Sequence, residues 1–194
     1  MNSLYLALVH SPVRNKNGDE VTTSVTNLDI HDISRSCRTY GIEKYFIVTP
    51  IKAQTELVDA ILEHWRKDSG GEYNPDRQQA MSIVKVLPSI EDVVENIKLL
   101  DKVDPLVVIT AAGLSEYDGV EKQLLERVML DNRPILLLFG TGWGLTEGVI
   151  DKADFRLKPI FGDAEDGYNH LSVRSAVAIY CDRIITEKNN LLGE

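Results

Sequence analysis

The chain is poor in cysteine, in long apolar runs and in positive charge, and each shortage narrows what it can be. Its two cysteines, Cys37 and Cys181, lie far apart within helical patterns, without the close-spaced framework of a disulfide-stapled secreted fold. That suits a reducing cytoplasm. No apolar run reaches the roughly 18 residues that a membrane span requires. The opening Met1–Val9 has neither a basic flank nor a small-residue cleavage site, and reads as a first strand rather than an export signal. With 30 Asp and Glu against 21 Lys and Arg the net charge is −9, so wholesale coating of nucleic acid is disfavoured. Any RNA contact has to come from a local patch, for which Arg14, Lys16, Arg35, Arg38 and Arg174 are the candidates. Enzyme signatures are equally sparse: no Walker loop, no Cys-x-x-Cys, no His-Glu-x-x-His and no Gly-x-Ser-x-Gly. The four histidines lack metal-ligand spacing, and no metal is expected. His31 with Asp29 and Asp32 reads as helix-surface charge, since adjacent residues on a helix point apart.

What is present is ordinary in composition, 43% hydrophobic and 26% charged, and the length fits one domain over residues 1–194. Short continuous runs rich in Val, Ile and Leu predict strands at Leu4–His10, Tyr45–Thr49, Ile83–Leu87, Leu106–Thr110 and Ile135–Phe139, covered on both faces. Helices are predicted near 28–40, 53–67, 90–102, 118–131 and 171–188. The second carries Leu57, Val58, Ile61, Leu62 and Trp65 as one stripe, and Ser89 with Asp92 resembles a capping box opening the third. The alternation predicts an α/β fold, a mostly parallel sheet with helices on both faces. Two polar segments, 11–27 with an Asn17-Gly18 turn and 68–76, are predicted as loops.

The stretch richest in functional meaning begins where Ile135–Phe139 passes at once into Gly140-Thr-Gly-Trp-Gly144. Exposed backbone at a strand end can hold a small polar ligand, because no side chains stand in the way. The Gly-x-Gly-x-Gly spacing, placed after the fifth strand, differs from a dinucleotide fingerprint, which normally sits in the first βα unit. A Rossmann dehydrogenase is therefore disfavoured. Taken alone, the glycines equally describe a tight strand-to-helix turn.

Two further segments give the loop a context. One is Asn27-Leu-Asp-Ile-His-Asp-Ile-Ser-Arg35-Ser-Cys-Arg-Thr-Tyr-Gly41; the other is Lys158-Pro-Ile160 followed by Asn169-His-Leu-Ser-Val-Arg-Ser-Ala176. With Leu136–Leu145 between them, the chain resembles the SPOUT superfamily of S-adenosylmethionine-dependent RNA methyltransferases. Within it, the likeness is to a stand-alone bacterial group known only as RNA methyltransferase-like. The resemblance spans essentially the whole chain and implies a C-terminal deep trefoil knot, S-adenosylmethionine as cofactor, a tRNA or rRNA acceptor, a cytoplasmic location and a homodimer with the knot at its interface.

The same resemblance implies residue roles. Cofactor contacts fall on Thr110 and Ala111, on Leu138, Phe139, Gly140, Thr141, Gly142 and Gly144, on Ile160, and on Leu171, Ser172, Val173 and Ala176. A bulky residue at Gly142 is then expected to block cofactor access. Arg35 matches the family's motif-one arginine; staying protonated, it suits orienting phosphate or stabilising an oxyanion. Asp166 and His170, with Asp163 and Glu165, lie where a base would stand, and Arg14, Arg38 and Arg174 are the substrate-binding candidates. Two departures from the ribose-methylating pattern leave the acceptor atom open between ribose oxygen and base nitrogen. The loop lacks the Glu of the usual Gly-Ser-Glu-Gly-x-Gly and is one residue shorter, and Asp29 stands at the motif-one Asn.

Plainer readings stand beside these. Arg35 and Arg38 equally suit ion pairs with Asp32 and Asp29. Trp143 suits packing on the protein body, and His170 suits capping the last helix. The competing class is a non-catalytic knotted dimer that binds cofactor or RNA as a scaffold.

Overall fold

The computed structural model describes residues 3–67 and 73–193. In chain order the strands are β1 (Leu4–Val9), β2 (Val13–Arg14), β3 (Glu20–Val21), β4 (Lys44–Val48), β5 (Val84–Leu87), β6 (Leu106–Thr110), β7 (Ile135–Gly140) and β8 (Phe155–Arg156). The helices are α1 (Asn27–Thr39), α2 (Lys52–Lys67), α3 (Pro75–Ser82), α4 (Ile90–Asp101), α5 (Glu121–Asp131), α6 (Glu147–Ile150) and α7 (Val173–Leu192). Six strands form one sheet in the order β5-β4-β1-β7-β6-β8, with every neighbouring pair parallel. The predicted α/β architecture is present, and this sheet is wholly parallel.

The apolar runs are continuous because both faces are covered, and the period of two sorts them. Leu4, Leu6 and Leu8 of β1, with Leu137 and Phe139 of β7, pack with Ile30 and Ile33 of α1, Val58 and Leu62 of α2, Leu124 of α5 and Val177 and Tyr180 of α7. Tyr5, Ala7 and Val9, with Leu136 and Leu138, face the other way onto Val93 and Ile97 of α4 and Leu145. Each large side chain so buried contributes about 1.5–3 kcal/mol relative to exposure, which is what holds the sheet centre. Cys37 and Cys181 are both buried as free thiols on the first face.

Helix ends follow the expected chemistry. The Thr26 and Ser89 hydroxyls accept the Asp29 and Asp92 N–H groups, and each hydroxyl also donates back to that aspartate's carboxylate. At α4 Ser89 is the N-cap, but the shorter Asp92 carboxylate takes the Ser89 hydroxyl rather than the Ser89 backbone N–H, so the reciprocal half of a capping box is not made.

Segment 11–27 is more ordered than a loop. Val13–Arg14 and Glu20–Val21 pair as an antiparallel hairpin around a turn in which the Asn15 side chain accepts the Asn17 and Asp19 N–H groups and Gly18 takes φ +88°. Val13 is fully buried, an anchor hidden by polar neighbours. Of the predicted loop 68–76, residues 68–72 lie outside the described residues, and Pro75 opens α3 behind an Asn74 cap. Helix α3 buries only Ala80 and Met81, too little for a periodic signal.

Candidate functional site

Because the six strands run one way, their C-terminal ends converge on one edge, the usual ligand-binding side of such a sheet. Among the described residues, four of the five buried polar ones lie at or near that edge: His10 after β1, Thr49 after β4, Thr110 ending β6, and Asp29 in the first turn of α1. Glycine is needed at Gly140 because a Cβ there would stand 2.7 Å from the Leu145 nitrogen as the loop folds back. Gly142 and Gly144 take φ +60° and +100°.

This loop is fastened to the β2–β3 hairpin. The Trp143 N–H donates to the Arg14 carbonyl at 3.0 Å, and the Arg14 N–H donates to the Gly144 carbonyl at 2.9 Å. A Cβ on Gly142 would stand 3.0 Å from the Arg14 carbonyl oxygen and 3.3 Å from Thr23 Cγ2. Gly142 is thus required by the approach of the hairpin, and a bulky residue there displaces the hairpin before it reaches any ligand.

Beneath the loop runs a chain of side-chain hydrogen bonds. Thr141 Oγ1 donates to the Val9 carbonyl at 3.0 Å, Thr23 Oγ1 lies 2.5 Å from Thr141 Oγ1, and His10 Nδ1 lies 3.0 Å from Thr23 Oγ1. One proton per contact fixes the directions. Thr141 spends its proton on the carbonyl, so Thr23 donates to Thr141, and His10 Nδ1–H donates to Thr23. Burial pushes the His10 pKa down to about 4, with the Asp29 carboxylate opposing the shift, so the ring is neutral at pH 7. Its Nε2 is then a bare, buried acceptor without a partner among the described residues. The sequence reading missed this network; its one visible sign was a histidine closing an otherwise apolar strand.

The other expected cofactor residues separate into two groups. Phe139, Ile160, Val173 and Ala176 meet in one apolar cluster with Leu157 and Tyr180. The Tyr180 hydroxyl donates to the Lys158 carbonyl at 2.9 Å, so the segment after β8 is drawn onto α7. Asn169 holds segment 160–162, donating to the Ile160 carbonyl and accepting the Gly162 N–H, both at 3.0 Å. Ala111 is half-buried at the edge, and Leu171 is 47% exposed. Leu138 stands apart from both groups. It is fully buried on the opposite face with its backbone between two strands, so its role is structural.

The arginines differ sharply. Arg35 and Arg38 are exposed on α1 with no hydrogen bond or ion pair among the described residues. The partners suggested for them, Asp29 and Asp32, are taken by Arg174, whose Nη1 lies 2.9 Å from Asp29 Oδ1 and Nε 3.4 Å from Asp32 Oδ2. Arg174 is therefore a clamp between α7 and α1. His170 does not cap α7; Ser172 does, accepting the Ser175 N–H at 3.2 Å, while the His170 ring lies beside Tyr168. Asp166 is exposed, with Oδ1 accepting the Tyr168 N–H. Trp143 does not pack inward but is 65% exposed.

The edge suits a ligand with an apolar body and polar ends. The glycine loop's backbone at Trp143 and Gly144 is taken up by the hairpin, while Ile160 packs among apolar side chains. On the other face, where Leu114 and Ile150 pack against the core, a cleft of about 190 Å³ is lined by Arg14, Ala111 and Glu147 among others. Among the described residues no group of acidic, histidine or cysteine side chains has the arrangement of a metal site, and no helix is long and apolar enough to cross a membrane.

A family profile described as SAM-dependent RNA methyltransferase matches residues 3–186. A tRNA (guanine-N(1)-)-methyltransferase of Oleidesulfovibrio alaskensis is 44% identical over 183 residues, which are 94% of this chain and 42% of that protein. The chain thus spans under half the length of that relative. An uncharacterized protein of Aquifex aeolicus is 35% identical over 95% of this chain and 89% of its own. Among solved structures, the SpoU methyltransferase AviRb of Streptomyces viridochromogenes in complex with the cofactor AdoMet superposes with a TM-score of 0.59 at 14% identity, covering 96% of this chain and 58% of that one.

Proposed function

The chain belongs to the SAM-dependent RNA methyltransferase family, and from that premise we propose that it methylates a base nitrogen of tRNA as a homodimer in the cytoplasm, its C-terminal segment tied in a trefoil knot. The observation that carries the choice of acceptor is the fate of Asp29. This position, an Asn in the ribose-methylating pattern, is buried and locked by Thr26 and Arg174, so it is not available to a ribose hydroxyl. The guanine-N1 description of the longer relatives points the same way.

The residues present that would hold S-adenosylmethionine are the apolar Phe139, Ile160, Val173 and Ala176 on one face of the sheet, with Asn169 ordering segment 160–162. When bound, the cofactor supplies an electrophilic methyl group. The protein's share of the work is alignment, plus removal of one proton from the acceptor. Asp166 is the proposed base, its Oδ2 free while Oδ1 is held by the Tyr168 N–H. Arg35, permanently charged and uncommitted, stabilises the oxyanion that forms on the base as its proton leaves, or seats the neighbouring phosphate. Arg38, on the same helix, extends that contact along the backbone.

Exposed Trp143, Phe161, Tyr168 and Leu171 support the dimer, since large apolar side chains left open on the segments after β7 and β8 are what a partner would cover. Arg35 of one protomer would then serve the pocket of the other. The test is to methylate total tRNA with labelled cofactor, digest it to nucleosides and identify the product. A base-methylated nucleoside is expected; label on the ribose oxygen contradicts the acceptor assignment.

A further inference from the structure

Helices α1, α2 and α3 meet in a positive cluster built around Trp65. The Arg77 guanidinium of α3 lies over the Trp65 ring, its Cζ 4.9 Å from the centroid. The His31 ring of α1 meets the same indole edge-on, at 5.5 Å and 84°. Trp65 is itself packed on the core, so it holds both groups in place. No carboxylate answers Arg77: its Nε is covered without a hydrogen-bond partner, and its side chain makes no ion pair among the described residues. His31 Nδ1 is covered and unpartnered as well. A half-buried guanidinium held only by an aromatic ring keeps its outer N–H groups for an acceptor from outside the fold.

His31 also opens a stripe along α1. Steps of four and three residues put His31, Arg35 and Arg38 on one helix face over about 10 Å. Burial first, and then the Arg77 guanidinium, lower the His31 pKa; Arg35 adds to the shift and Asp32 opposes it, so both arginines act on one ring. Asp32 is drawn off by Arg174 at 3.4 Å. Asp76 neighbours Arg77 in sequence, and adjacent helix residues point apart. Three guanidiniums thus gather beside His31 in a chain whose net charge is −9. Such a local concentration of positive charge suits a polyanionic backbone. An acidic protein face fits less well, because Trp65 lies half-buried under Arg77 and offers no free aromatic anchor to a partner. We infer that this surface seats the phosphodiester backbone of the RNA substrate, Arg77 and His31 continuing the line of Arg35 and Arg38.

The inference rests on the tRNA reading above and adds a docking contact outside the methyl-transfer pocket. Arg77 should therefore govern how tightly RNA is held and not how fast a bound RNA is methylated.

The experiment is filter binding of labelled total tRNA at stepped salt to the wild type, Arg77→Ala, Arg77→Met and Lys122→Ala. Arg77→Met keeps a long side chain against Trp65 without the charge, and circular dichroism of each variant checks folding. Lys122, exposed on α5, is the control for loss of one positive charge elsewhere. Both Arg77 variants are expected to weaken tRNA about 3–10-fold and to make the salt dependence shallower by about one phosphate contact. Their S-adenosylmethionine affinity should stay within about twofold by calorimetry, and in methyl-transfer assays KM for tRNA should rise with kcat unchanged. Wild-type tRNA affinity in folded Arg77→Met, or an equal loss in Lys122→Ala, would overturn the inference alone. Polyglutamate and inorganic phosphate are the competing probes. Arg77-dependent binding of either one, with tRNA affinity unchanged, would overturn it in favour of an acidic protein or a free anion. Failure of the wild type to bind any tRNA would instead remove the tRNA reading and this inference with it.

Discussion

Replacing Gly142 by alanine separates two demands that the fold makes at one position. The first is conformational: at φ +60° an L-residue costs about 1–2 kcal/mol. The second is spatial, since the new Cβ would lie 3.0 Å from the Arg14 carbonyl oxygen. That oxygen cannot retreat freely, because it accepts from Trp143 while its own residue donates to Gly144. Losing or stretching those two bonds adds about 0.5–1.5 kcal/mol each. The total is about 2–5 kcal/mol. Gly18 and Gly167 supply the control, with φ +88° and +74° and nothing within 4 Å of a Cβ, so Gly18→Ala and Gly167→Ala should show the conformational cost alone. In a domain of this size each kcal/mol moves Tm by about 2–4 °C. Thermal and urea unfolding of the three variants reads the difference directly. If Gly142→Ala is no less stable than Gly18→Ala, the hairpin does not press on the loop, and the packing argument for Gly142 fails.

Other consequences are as definite. With the His10 pKa near 4 in the fold against 6.5 outside it, the unfolded chain takes up a proton first as pH drops. Stability is full above pH 6.5 and falls toward pH 4 by up to roughly 3 kcal/mol, and His10→Asn, which keeps a donor for Thr23, should flatten that slope in urea titrations at stepped pH. Thr23→Val removes the middle of the relay, leaving the His10 Nδ1–H unpaired, and should cost about 1–3 kcal/mol in the same assay; a neutral result would disprove the proton assignment. Arg174→Ala frees a buried carboxylate at Asp29 and should destabilise by about 1–3 kcal/mol after allowing for the partial exposure of the arginine. Asp29→Asn in that background should recover part of the loss, whereas a pure substrate contact would show no stability change.

The repeating layer was legible because it rests on local signals. Val, Ile and Leu runs mark strands buried on both faces, and strands β1, β4, β5, β6 and β7 stand within a residue of where those runs predict them. Helix caps read equally well at Ser89, where side chain and backbone lie three residues apart. What was not legible depends on partners distant in sequence. Whether Asp29 pairs with Arg38 nearby or with Arg174 on the last helix is decided by α7 lying against α1. Gly142 looked like part of a ligand wall because nothing local reveals that Arg14 lies over it. Strand β8 offers only Phe155 as a buried apolar residue, and pairs because β6 presents an edge beside it. The site follows the same rule. Which segments meet at the sheet edge was readable from motif order, whereas the free donor at Arg14 and the bare acceptor at His10 emerge only once the chain is folded.

The most direct test of the central claim, methyl transfer from S-adenosylmethionine to RNA at this sheet edge, uses labelled cofactor and total RNA from a strain lacking the gene. Wild-type protein should place label on RNA, and Arg35→Ala should lose that transfer while unfolding within about 0.5 kcal/mol of wild type, because Arg35 is exposed and bonded to nothing else among the described residues. Cofactor binding with no label on any RNA, or full transfer by Arg35→Ala, would contradict it.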